Sequence, residues 1–78
     1  MKELVLLLAR YLVSHPDAVA VKETQVDTTS ILELKVATED LGRIIGKQGR
    51  TAKSIRTILN AAASRANRKV VLEIVEEK

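Results

Sequence analysis

The stretch IIGKQGRT, residues 44–51, holds two glycines three positions apart, Gly46 and Gly49, with cations following at once. Gly46 stands where the end of a helix commonly needs a residue with positive φ. Gly49 stands just ahead of a new helix, whose first backbone N–H groups have no partner in the chain. Unpaired donors at the positive end of a helix dipole attract anions. With no side chain at either end, such a turn lets a phosphodiester backbone come close, and Lys47, Arg50 and Lys53 add positive potential. Lys47 and Gln48 are expected to point into solvent. Of Ile44 and Ile45, one must face the core while the other can line an apolar floor on which bases lie. The sequence alone leaves open which.

The distribution of charge bears on the same point. Residues 1–40 carry four Lys/Arg and seven Asp/Glu, residues 41–72 carry eight Lys/Arg and no acid, and residues 73–78 carry one Lys and three Glu. The segments stand at −3, +8 and −2 within a net charge of +3. A middle segment of this kind focuses positive potential, and polyanions are the usual partners of such a region. A solvated basic helix face accounts for the charge equally well. Tyr11 is the only aromatic residue, so a binding platform built from stacked aromatic rings is not available.

Other chemistries fit less well. Gly42 to Lys47 resembles a nucleotide-phosphate loop, but its glycines are one residue too close and Gln48 replaces the Ser/Thr that would meet magnesium. No nucleophile–base pair or metal-ligand cluster is legible, so neither an enzyme nor a metal site is expected. His15, the sole histidine, sits beside Pro16 and reads as a capping or surface group, while Glu39 and Asp40 are explained by the positive end of a helix. A helix-turn-helix DNA-binding module is an alternative, because a basic helix follows a short turn. Glycine at both ends of that turn and two strands ahead of it argue against this. A protein-interaction module is another, with AAASRA (residues 61–66) as a small-residue face, although an ordinary helix lying on its own sheet reads the same way.

These residues need elements to position them. A chain of 78 residues is expected to form one domain, residues 1–78, with a single modest core. The absence of cysteine fits a reducing compartment, so the cytoplasm is the expected location. The first 20 residues superficially resemble a signal peptide, but their apolar run is short, Glu3 sits where positive charge is wanted and Arg10 interrupts it. Leu4, Leu7, Leu8, Tyr11 and Leu12 recur at helical spacing, which predicts a core-facing helix over 2–14 closed by His15-Pro16. Residues 18–26 and 31–37 read as a hairpin joined by a polar turn, Asp27 to Ser30. Thr38 is expected to cap a short helix over 39–45 that Gly46 stops. A second helix over 50–66 presents Ala52, Ile55, Ile58, Leu59, Ala62 and Ala66 on one face and Lys53, Arg56, Asn60 and Arg65 on the other. Val70, Leu72 and Ile74 alternate as a last strand. The order α-β-β-α-α-β belongs to the α+β class, with helices packed on one face of a three-stranded sheet.

GRIIGKQGRTAKSIRTIL, with the flanking residues EDL, resembles the signature of a KH domain, in which an I-I-G-x-x-G loop joins two helices and clamps about four nucleotides of single-stranded RNA. The element order resembles the type II arrangement, and essentially all of the chain resembles the small stand-alone bacterial KH proteins of the KhpA type. The resemblance implies RNA binding through Arg43, Ile44, Ile45, Gly46, Lys47, Gln48, Gly49, Arg50, Lys53 and Arg56, in a groove walled by the two helices and the last strand. That strand would offer backbone groups near Val70 to Leu72 to base edges. The resemblance also implies a role as an RNA chaperone or post-transcriptional regulator. Pairing is implied too, as a homodimer or as a heterodimer with a larger KH-containing protein, and no cofactor or membrane partner.

Overall fold

The computed structural model describes residues 1–76. Its elements run α1 (Lys2–Leu12), β1 (Ala20–Val26), β2 (Thr29–Val36), α2 (Leu41–Ile45), α3 (Arg50–Arg65) and β3 (Lys69–Glu76). The sheet has the order β1-β2-β3, with β1 antiparallel and β3 parallel to the central strand. Leu32, Leu34 and Val36 of β2, together with Val21 and Leu72, meet Val5, Ala9, Ile44, Ile55 and Leu59 from the helices in one core. The chain is thus an α+β, KH-like domain in the expected order.

Several boundaries differ from the sequence reading for local reasons. Helix α1 stops at Leu12 because Val13 is extended (φ −96°, ψ 160°), and a 3-10 turn at Pro16–Ala18 delays β1 to Ala20. The hairpin turn shrinks to Asp27-Thr28, since Thr29 and Ser30 already pair with Val26 and Gln25. Asp27 takes φ 53°, which aspartate tolerates better than most residues. Thr38 opens a 3-10 turn, Thr38–Asp40, whose N-cap is Ala37, and only then does α2 begin. At the far end of α3, Asn67 (φ 55°) and Arg68 donate their amides to the carbonyls of Ser64 and Ala63, a left-handed cap that turns the chain into β3.

Two helix faces are also corrected. In α1 the buried residues are Val5 and Ala9, whereas Leu7 and Tyr11, assigned to the core above, are 62% and 89% exposed. Leu4 and Leu8 of the expected stripe do pack against the core beside Val5 and Ala9, while Leu7, Tyr11 and Leu12 turn outward. In α3 the buried set is Ala52, Ile55, Leu59 and Ala63, leaving Ile58 45% exposed and Ala66 beyond the helix.

Candidate nucleic-acid interface

The loop between α2 and α3 is built from backbone conformations that few residues tolerate. Gly46 has φ 78° and ψ 174°, Gln48 has φ 58° and ψ 27°, and Gly49 has φ 74° and ψ 12°. The positions of the two glycines are restricted differently. A Cβ on Gly46 would collide with Thr51 Oγ1 and lie 2.8 Å from the Thr51 backbone nitrogen, while one on Gly49 would meet nothing within 4 Å. Gly46 is therefore pressed against the first turn of α3, and Gly49 faces open space. The loop also draws some amides inward. Gly46 N–H donates to Gly42 O at 2.8 Å, Gly49 N–H to Gly46 O at 3.2 Å, and the first amide of α3, on Arg50, to Lys47 O. No side chain caps α3.

Around this loop Arg43, Lys47, Gln48, Arg50, Lys53 and Arg56 are all exposed. Among the described residues none of the five cations forms an ion pair. Arg50, Lys53 and Arg56 recur every three residues along α3, so they share one broad flank of that helix. The alternatives for the isoleucines are resolved: Ile44 is wholly buried in the core and Ile45 is 39% exposed beside the loop. Ile45 is the one available as apolar floor.

Arg56 does more than add charge. Its Nη2 donates to the carbonyl of Leu72 at 3.3 Å, reaching across from α3 to β3. Strand β3 lies at the sheet edge, and the Lys69 amide donates to Thr28 O at 2.9 Å, so Lys69 turns its backbone groups toward β2. Alternation along the strand then sends the N–H and C=O groups of Val70, Leu72 and Ile74 to the free edge. Between that edge and α3 lies an open cleft of about 200 Å³ lined by Arg56, Leu59, Asn60 and Val70 to Leu72. The cleft thus includes Asn60, absent from the expected site residues although it lies four positions after Arg56, on the same flank of α3.

Asp40 stands at the N-terminal end of α2 as expected, but it has a second role that the local sequence does not show: it is 1% exposed and accepts the backbone amides of Ser14 on Oδ1 and His15 on Oδ2, both at 2.9 Å. The Ser14 bond above all, then the His15 bond and the charges of His15 and Arg43, hold its carboxyl below the usual carboxylate value against the opposing effect of burial. Glu39 meets His15 Nε2 at 3.2 Å on the surface. Among the described residues no group of His, Asp or Glu is placed to hold a metal ion, and no helix is long and apolar enough to cross a membrane.

The KhpA/KhpB KH-domain family matches residues 2–74. The chain belongs to that family. It is 55% identical over 75 residues to a Clostridium perfringens protein named RNA-binding protein KhpA, covering 96% of this chain and all of that one. A Chlamydia pneumoniae protein of the same name is 53% identical over 78 residues, end to end in both chains. Among solved structures, Aquifex aeolicus Era bound to GDP and aluminium fluoride superposes with a TM-score of 0.61 at 23% identity. Era in complex with MgGDPNP and a segment of 16S ribosomal RNA superposes at 0.55 and 24%. Each of these two matches covers 96% of this chain and 29% of the Era chain, and at such identity they show a shared fold alone.

Proposed function

We propose that this KH domain is a non-catalytic RNA-binding protein that clamps the backbone of a single strand at Gly46–Gly49 and leads its bases into the cleft between α3 and β3. The observation that carries the reading is the loop itself. Three positive-φ residues within four positions leave a surface free of bulky side chains at Gly49, flanked by exposed cations, where a phosphodiester can approach. Bases then lie against Ile45 and the apolar cleft wall. At the strand edge the Leu72 carbonyl, held by Arg56 in the free protein, is the acceptor that a base amino group would take over. With no aromatic platform, the groove accepts several sequences and rejects a perfect duplex. Such a protein acts in the cytoplasm as an RNA chaperone or post-transcriptional regulator.

The domain also pairs through its apolar flank, with a second copy or with a larger KH-containing protein. Leu8, Tyr11, Leu12 and Ile58 border a cleft of about 320 Å³ between α1 and α3, and the exposed Leu7 lies on the same helix α1. Pairing adds a second four-nucleotide site and so gains avidity.

The deciding experiment is the double substitution Lys47→Asp with Gln48→Asp. Both side chains are exposed and outside the core, so thermal melting should stay close to that of the parent. Fluorescence anisotropy with a short single-stranded RNA should show binding lost, because two carboxylates replace attraction by repulsion where phosphates lie. A double variant that melts and binds like the parent would mean the loop is not the clamp. Tighter binding to duplex DNA than to single-stranded RNA would favour the helix-turn-helix reading.

A further inference from the structure

Helix α2 has five residues, too few to fix its own direction through internal hydrogen bonds. Two anchors hold it. Ile44 is embedded in the core near its C-terminal end, and Asp40, at its N-cap, is bonded to two amides from the segment that follows α1, 26 and 25 residues earlier. The chain passes from Ile45 directly into Gly46, whose amide is bonded back into α2 at Gly42. A rotation of α2 about its Ile44 anchor therefore moves the loop as one piece with it.

We propose that Asp40 is a positioning residue for the loop: by holding the Ser14 and His15 amides, its carboxylate sets the direction of α2 and thereby the placement of Gly46–Gly49 against α3 and β3. This rests on the reading of that loop as the RNA clamp. A carboxylate suits the task because it offers one acceptor oxygen to each amide, whereas a side-chain amide offers one acceptor and turns a donor toward the second N–H. The other charged groups around it are His15 and Glu39, paired with each other at the surface, and Arg43, one turn further along α2. None of them supplies a buried acceptor for the two backbone donors.

The test compares Asp40→Asn with Val5→Ala, a core truncation on α1 that leaves both hydrogen bonds in place. Both are assayed against a mixed-sequence single-stranded RNA, at a temperature well below both melting points. Asp40→Asn is expected to weaken binding by about tenfold, as the loop spends only roughly a tenth of its time in the competent arrangement. The backbone amide NMR signals of residues 46–49 should move with it. Val5→Ala should keep the parental affinity and the parental loop signals. Parental affinity for folded Asp40→Asn, or an equal loss in Val5→Ala, would overturn the proposal. If Asp40→Asn does not fold, Ser14→Pro decides. It deletes one of the two donors after a residue already extended, and should weaken binding less than tenfold yet measurably; unchanged binding there counts against the proposal. The loop variant Lys47→Asp/Gln48→Asp separates the two claims. If it binds normally the clamp reading fails, and if it loses binding while Asp40→Asn does not, only the positioning role fails.

Discussion

Replacing each loop glycine by alanine should have unequal effects, and the structure says by how much. Gly46, at φ 78° and ψ 174°, occupies a region that only glycine enters readily, at a cost of about 1–3 kcal/mol for any other residue. Its new Cβ would also lie 2.7 Å from Thr51 Cβ and 2.8 Å from the Thr51 backbone nitrogen. The hydroxyl of Thr51 can rotate away, but those two atoms are fixed to the first turn of α3. Relieving such a contact costs roughly another 1–3 kcal/mol. Gly49 carries only the left-handed penalty of about 1–2 kcal/mol, with open space around it. Gly46→Ala should therefore cost about 2–6 kcal/mol, a large share of a small domain's stability, and Gly49→Ala only about 1–2 kcal/mol. At ~4–8 °C per kcal/mol, circular-dichroism melts should show a drop of at least ~8 °C for the first and a clearly smaller one, from about 4 °C, for the second. Equal melting points for the two variants, or a Gly46→Ala protein within a few degrees of the parent, would refute the geometry on which the loop argument stands.

Two further outcomes are expected. If Arg43, Lys47, Arg50, Lys53 and Arg56 between them neutralise three to four phosphates, the log–log dependence of RNA affinity on salt should have a slope of roughly −2 to −3, and a slope near zero would remove the electrostatic part of the mechanism. Leu7→Asp with Ile58→Asp alters two exposed positions and should convert a paired species to a monomer in sedimentation velocity without changing the melting point greatly. A parent that sediments as a monomer, or a double variant that pairs as before, would exclude the α1–α3 flank as the pairing surface.

What could be read from the sequence was what depends on neighbours along the chain. The glycine-bracketed turn, the order of elements and the exposure of Lys47 and Gln48 follow from residue types within a few positions of each other. The inward face of α1 did not follow, because KELVLLLARYL is apolar at so many positions that more than one helical stripe can be drawn. Leu4 and Leu8 of the expected stripe pack on the core, yet the fully buried positions are Val5 and Ala9, and Leu7, Tyr11 and Leu12 are left exposed. The second role of Asp40 is hidden for a related reason. An acid at a helix start has a sufficient local explanation in the dipole, and the two amides that it holds lie 25 and 26 residues upstream. Arg56 shows the same division. Its charge was evident, but its contact with the Leu72 carbonyl depends on which strand forms the sheet edge, a property of the assembled fold.

Helix α3 connects these observations. At about 100° per residue, its buried stripe of Ala52, Ile55, Leu59 and Ala63 separates two flanks. One flank carries Arg56 and Asn60 toward the edge of β3, with Lys53 one turn earlier on the same flank, and the other carries Thr51 and Ile58 toward α1. A ligand in the first cleft and a partner on the second surface therefore touch opposite sides of one rigid element and need not compete. Thr51 links the apolar cleft to the loop, since it lines that cleft and also lies against Gly46 at the start of the loop. Pairing on the apolar flank would press on the same turn of α3 that confines Gly46. On the proposed reading the two sites therefore lie on separate flanks of α3, with Thr51 bordering the loop from the apolar side, so that a partner on that flank would leave the cations free for phosphate.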